Sequence, residues 1–247
     1  MSFRQHIASV VPKALARDKS LPELAVRVYL SLQQERFSSI AELAEAIGTC
    51  RNRVSRAVRV LIQKGWGACI SCEHSRSKVI VPTWPVSVET KIADLIKSDK
   101  ENVAFLGQWL MWNWLDVLVD LLDYLDNSRP DWLRNAQTGY RMELDREYRS
   151  PRVAFEFQGK QHFRPTQAYP DEEAQIKQQL RDDQKVGVCL RNGVRLVEVT
   201  HEDLTLKGML KKAEGLPLRH YRANGPIIKT VGQLSDSHIA RMIRQGL

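Results

Sequence analysis

The sequence predicts an α+β chain of two modules, and three observations carry that reading. The first third holds short segments of helical period closed by glycines, then two short runs of strand character. Between Tyr140 and Val199 the pattern changes to strand, strand, helix, strand. Pro82 and Pro85 break any regular element between the two regions. A chain of 247 residues is long for one ordinary domain and comfortable for two. With 43% apolar and 27% charged residues it belongs among chains that fold around a core, outside the disordered and membrane classes. The expected divisions are a first module over 1–85, a helical connector with the first core helix over 86–135, a second module over 136–215, and an extension with a short helix over 216–247.

Charge is unevenly placed. The net value is +8, and up to Pro85 there are 13 Lys/Arg against 6 Asp/Glu, while the remainder holds 24 against 23. A basic first third on a near-neutral body points to a polyanionic partner for that third, DNA or RNA most simply. Four cysteines give no disulfide framework and fit a reducing cytoplasm. No apolar h-region follows a basic n-region, so secretion is not expected.

In the first module a helix is expected over Pro22–Gln34, from the spacing of Leu24, Val28 and Leu32. Ser39 followed by Glu42 has the form of a capping box opening a helix Ile40–Ile47, with Gly48 at its end. Thr49 then caps a second helix running to about Lys64 and closed by Gly65. Val54, Ala57, Val58, Leu61 and Ile62 form its apolar face, and Arg51, Arg53, Arg56 and Arg59, with Asn52 and Ser55, cover much of the rest. Cys69–Cys72 and Lys78–Val81 read as two strands around a turn. This order resembles a winged helix-turn-helix, and the string SIAELAEAIGTCRNRVSRAVRVLIQKGW carries the resemblance. The resemblance implies that the arginine-rich helix enters the major groove of DNA, with Arg51, Asn52, Arg53 and Arg56 nearest the bases or phosphates. Ser55 and Arg59 flank them, and Arg76 and Lys78 of the wing touch backbone.

Val103–Leu125 is the greasiest stretch, but Asp116, Asp120 and Asp123 within it argue against a membrane span. Their spacing puts all three on one face of a buried amphipathic helix. Strands follow at Arg141–Tyr148 and Pro151–Gly159, then a helix near Asp171–Cys189, a buried strand Val194–Val199, a helix over about His201–Ala213, and a last short helix Ser235–Arg244. On the second strand, alternation sets Val153, Phe155 and Phe157 on one face and Glu156 and Gln158 on the other. Asp145 and Glu156 at the ends of neighbouring strands, a polar side chain beyond and a histidine nearby form a hard-oxygen site suited to Mg²⁺.

Asp145 followed by Glu156-Phe157-Gln158 resembles the PD-(D/E)XK nuclease superfamily. The longer pattern of Glu156, Gly159, Gln161, His162, Arg181, Asp182, Lys185, Cys189, Asn192 and Gly193 is similar to its Vsr-like, phage homing-type branch. The resemblance implies a restriction-endonuclease-like αβββαβ core that hydrolyses DNA to 5′-phosphate and 3′-hydroxyl ends. In that frame Asp145, Glu156 and the backbone carbonyl of Phe157 hold Mg²⁺ or Mn²⁺; apart from the resemblance, Glu143 alternates with Asp145 and is expected to point the same way as a metal-water ligand. His162 is the general acid or base, Asp182 supports it, and Lys185 or Lys177 holds phosphate. The superfamily lysine position is Gln158 here, so either Lys160 takes over its charge or His162 makes it unnecessary. Asp120 and Asp123 are further acidic candidates for the metal, with a solvated face the preferred reading for both.

The expected function is therefore a metal-dependent DNA endonuclease of a mobile element, phage or plasmid, targeted by a winged helix, with no membrane and no small-molecule cofactor involved. The alternative is a non-catalytic DNA-binding regulator or replication factor with a degenerate nuclease fold; RNA or branched DNA as substrate also stays open. Cys69 and Cys72 have zinc-like spacing without a second pair. Trp109, Trp112 and Trp114 are expected in core or dimer packing, which makes a second copy of the chain a candidate partner. No serine–histidine–aspartate arrangement and no phosphate-binding glycine loop is present.

Overall fold

A computed structural model of the chain describes residues 3–71, 78–159 and 172–245, with backbone alone at Ser71, 172–179 and Arg181. The fold is mixed α+β and divides into two compact units, Met1–Ser98 with His220–Ile227, and Asp99–Arg219 with Ile228–Leu247. The first boundary thus falls at the end of a helix beyond the Pro82–Pro85 seam. That helix, α5 (Val86–Asp99), starts directly after Pro85 and buries Val88, Ile92, Ala93 and Ile96.

The first unit opens with α1 (Phe3–Arg17), which the sequence reading does not contain, because Pro12 stands inside it. Helices α2 (Glu23–Gln34), α3 (Ile40–Ile47) and α4 (Arg51–Lys64) follow. Ser39 Oγ accepts from the Glu42 N–H, but the Glu42 carboxylate returns to Ser38, to its N–H and its hydroxyl, so the reciprocal half of the capping box is shifted by one residue. Gly48 and Gly65 both adopt left-handed φ, +71° and +79°, which closes α3 and α4 without the strain a Cβ brings. The residue capping α4 is Cys50 rather than Thr49, and its side chain makes no cap hydrogen bond. Val54, Ala57, Val58 and Leu61 are buried as expected, whereas Ile62 is largely exposed. Antiparallel strands β1 (Gly67–Ser71) and β2 (Lys78–Pro82) complete the motif. Buried Trp66 joins it together, packing edge-on against Tyr29 and donating its indole N–H to Asp18.

The second unit is built on a four-stranded sheet in the order β3-β4-β5-β6. Strands β3 (Tyr124–Ser128), β4 (Leu144–Tyr148) and β5 (Val153–Phe157) are antiparallel, and β6 (Arg195–Val199) runs parallel to β5. Parallel pairing needs a crossover, and α7 (Glu172–Arg191) lies in it. β6 sits at the sheet edge, so only Val199 of it is buried, against the expected buried strand. Helix α6 is Leu106–Leu118, shorter than the apolar stretch predicts. Asp116 alone of the three acids is therefore helical and buried. Asp120 and Asp123 are exposed beyond the helix end, so no shared helix face exists for them. Trp109 and Trp114 are buried within the unit, so these two rings present no face to a second copy. After α8 (Leu206–Lys212), helix α9 spans Pro226–Arg244, much longer than the short helix expected, because Ile227, Ile228, Val231 and Met242 give it a buried stripe. Among the described residues no helix is long and apolar enough to cross a membrane.

Candidate metal and phosphate site

Alternation along β4 separates two tasks. Arg146 is fully buried and clamps the sheet: its guanidinium meets Asp116 of α6 at 2.7 Å and Asp126 of β3 at 2.6 Å, and lies 3.9 Å over the Tyr124 ring. Its neighbour Asp145 faces the other way, toward β5. The register pairs Arg146 with Phe155, and one step further along it sets Asp145 opposite Glu156. Strand β4, tied by Arg146 to α6 and β3, and its ladder partner β5 thus bring two carboxylates together at the end of the ladder.

The local bonding fixes both acids. Asp145 Oδ2 accepts from the Phe157 N–H at 2.7 Å, and Oδ1 accepts from Gln108 Nε2 at 2.8 Å. Gln108 also donates to Asn127 Oδ1 at 3.1 Å, tying β3 to the cluster. Glu156 Oε1 meets Lys185 Nζ of α7 at 2.5 Å. The floor is tight where α6 crosses β5: a Cβ on Gly107 falls 2.2 Å from the Phe157 ring, so only glycine permits this approach.

Electrostatically the cluster is short of positive charge. Burial first, and the Glu156 carboxylate second, push Asp145 up to about 7. Burial likewise raises Glu156, with Lys185 opposing it. Two half-buried carboxylates facing one ammonium leave an uncompensated negative charge, the condition that a bound cation relieves. The donors are hard oxygens, which suits Mg²⁺ or Mn²⁺. Among the described residues no group of three His, Cys, Asp or Glu side chains closes into a fuller ligand set.

The pair opens into a cleft of about 800 Å³ lined by Phe105, Gln108, Trp112, Glu143, Asp182, Lys185 and Arg241 among others. Of the predicted residues, Asp145, Glu156, Phe157, Glu143, Asp182 and Lys185 all line it. Glu143 is engaged by Arg129 at 2.7 Å. Gln158 does not join them. β5 ends at Phe157, and past that point the Gln158 amide donates to Glu198 at 3.1 Å on the β6 side. Lys160, Gln161 and His162 lie outside the described residues, as do Arg76 and the Cys72 of the zinc-like spacing; the side chains of Lys177 and Arg181 are likewise outside. Sequence reading missed Gln108, Gly107, His238 and Arg241, the last two brought to the cleft by α9. Only the i, i+1 pairing of a glycine with a glutamine at the start of α6 hints at the first two, and nothing local singles out the others.

In the first unit Arg51, Asn52, Arg53, Arg56 and Arg59 are exposed along α4, Ser55 is half-buried, and Lys78 is exposed at the start of β2. The face opposite Val54, Val58 and Leu61 is thus a row of cations.

No protein-family model and no solved structure matches the chain. Uncharacterized protein 033L of Invertebrate iridescent virus 3 is 37% identical over 75 residues, 30% of this chain and 39% of that protein. Uncharacterized protein 094L of Frog virus 3 (isolate Goorha) is 34% identical over 80 residues, 32% of this chain and 52% of that protein. The matches thus span between about two fifths and about half of those relatives.

Proposed function

We propose that the chain is a metal-dependent DNA endonuclease with a PD-(D/E)XK core of the Vsr-like branch and a winged-helix module for DNA. The observation that carries this reading is the convergence of Asp145, Glu156 and Lys185 from β4, β5 and α7 on one wall of an open cleft. The antiparallel trio with a parallel fourth strand, crossed over by a helix, accords with the nuclease core. The order α2, α3, α4, β1, β2 accords with a winged helix, and the exposed arginines of α4 supply the phosphate-neutralising charge such a module needs. The viral source of both relatives fits a mobile-element or viral setting.

In this mechanism Asp145 and Glu156 hold the cation, with the Phe157 carbonyl beside them. The cation supplies Lewis-acid charge at the scissile phosphodiester. Gln108 and the Phe157 N–H orient Asp145, each through one carboxylate oxygen. Lys185 pairs with Glu156, and in this reading it supplies from α7 the positive charge that Gln158 lacks. His162 is assigned the acid–base role and Asp182 its support. The non-catalytic regulator reading draws on Gln158, whose amide is spent on Glu198; Lys185 answers that objection.

The test is incubation of supercoiled plasmid with the protein and Mg²⁺ or Mn²⁺, beside Glu156→Ala and His162→Ala. Metal-dependent nicking or linearisation lost in both variants is expected. A protein that shifts plasmid and branched DNA in gels, yet cuts neither with any divalent ion, is the regulator.

A further inference from the structure

A second cleft, of about 550 Å³, lies against β3 and β4 of the same sheet, and Asn127 lines both clefts. Its size is that of a small-ligand pocket. Its rim carries Arg129, Arg149 and Arg152, and Leu125 and Trp132 supply apolar wall.

The acids around it are already engaged. Asp126 is held by Arg146, Asp131 by Arg141 at 2.6 Å, and Glu147 accepts from the Ser128 hydroxyl at 2.5 Å. Arg129 is matched by Glu143. Arg152 spends one nitrogen on the neutral Asn192 carbonyl, and no ion pair of Arg149 or Arg152 occurs among the described residues. Both belong to the turn between β4 and β5, and Arg152 holds a left-handed φ of +63° there. Two guanidinium groups are thus presented to the cleft without an ion-pair partner among the described residues, and Glu147, held only by a neutral hydroxyl, is the one lining acid not matched by a cation. Guanidinium forks match phosphate oxygens bidentately.

We infer that this second cleft holds the sugar-phosphate of a DNA nucleotide flanking the cleaved bond, with Arg149 and Arg152 on its phosphate and Leu125 and Trp132 against its sugar or base. The inference rests on the nuclease reading. It makes Asn127 the point over which the strand passes from one cleft to the other, and Gln108 then links that point to Asp145. Arg149 and Arg152 are substrate-positioning residues, acting on strand placement and not on the reacting atoms.

The experiment compares wild type with the Arg149→Gln/Arg152→Gln double variant, glutamine being no worse than arginine at a left-handed φ. Steady-state cleavage of a labelled duplex is measured across salt concentrations, with circular dichroism and melting temperature as folding controls. KM is expected to rise about tenfold, more than kcat falls, and the slope of log KM against log salt to shrink by about 1 to 2. Arg149→Lys/Arg152→Lys should restore most of the salt slope. A photoreactive benzoylphenylalanine at Leu125 should crosslink within about two nucleotides of the cut. A chain that cuts DNA but shows unchanged KM and salt slope in the double variant, or crosslinks far from the cut, overturns this inference alone. A wild-type chain that cuts no DNA overturns the nuclease reading and this inference with it.

Discussion

Replacing Asp145 by asparagine should stabilise the metal-free protein at pH 8 while removing its function. The folded carboxyl has its pKa pushed to about 7 from an ordinary 3.8, by burial and by Glu156. The unfolded chain therefore releases this proton near pH 4, and the folded chain keeps it until about pH 7. Stability falls as pH rises between those values and is level above them. Above pH 7 the full cost is at most about 4 kcal/mol. Asparagine removes that cost, but its amide N–H₂ then faces Gln108 Nε2, and one hydrogen bond worth about 1–2 kcal/mol is lost. The net gain is about 2 kcal/mol at pH 8, or roughly 4–8 °C in melting temperature for a chain of this size. Near pH 5 the two effects cancel, and at pH 4 the variant is the less stable. Thermal unfolding in EDTA, followed by the fluorescence of Trp109, Trp112 and Trp114, reads this out. A variant destabilised equally at pH 5 and pH 8 would mean that Asp145 is a satisfied structural carboxylate, and the like-charge account of the site would be wrong.

Lys185→Met should lower the single-turnover cleavage rate by about 100-fold or more while gel-shift affinity stays within a few fold, because the charge acts at the site and not in the winged-helix contact. Arg146→Met should destabilise the second unit by about 3–5 kcal/mol in urea unfolding, since it leaves Asp116 buried and charged without its partner. The paired change Arg53→Ala and Arg56→Ala should weaken DNA binding at every sequence and reduce the salt slope in fluorescence anisotropy by about 2.

Much of this site was legible in the sequence, for identifiable reasons. Asp145 and Glu156 stand out because buried-strand patterns rarely spend acids at their ends, and the period of two puts each on the strand face where they meet. Gly48 and Gly65 mark the ends of α3 and α4 because left-handed φ selects glycine. What failed depends on partners far away in the chain. Arg146 looks like a surface residue, yet Asp116 and Asp126, 30 and 20 positions earlier, make it the best-buried charge in the sheet. Alternation also places Gln158 with Glu156, and its amide reaches Glu198, the β6 residue paired with Glu156, yet it stands outside the lining of the cleft. The apolar run from Val103 to Leu125 concealed the end of α6, because the residues after Leu118 stay apolar as the chain turns into β3. Lys185 carries the opposite lesson. The family resemblance alone implies it at the site, and its ion pair with Glu156 sets it beside that carboxylate.

The central claim is that Asp145 and Glu156 together hold a divalent cation. Calorimetric titration of the metal-free protein with Mn²⁺ at pH 8, beside the Asp145→Asn/Glu156→Gln double variant, tests it most directly. The account predicts saturable Mn²⁺ binding that Mg²⁺ competes away, that weakens as pH falls through 7, and that the double variant abolishes. Binding of equal strength in wild type and double variant, or none in the wild type, would contradict it.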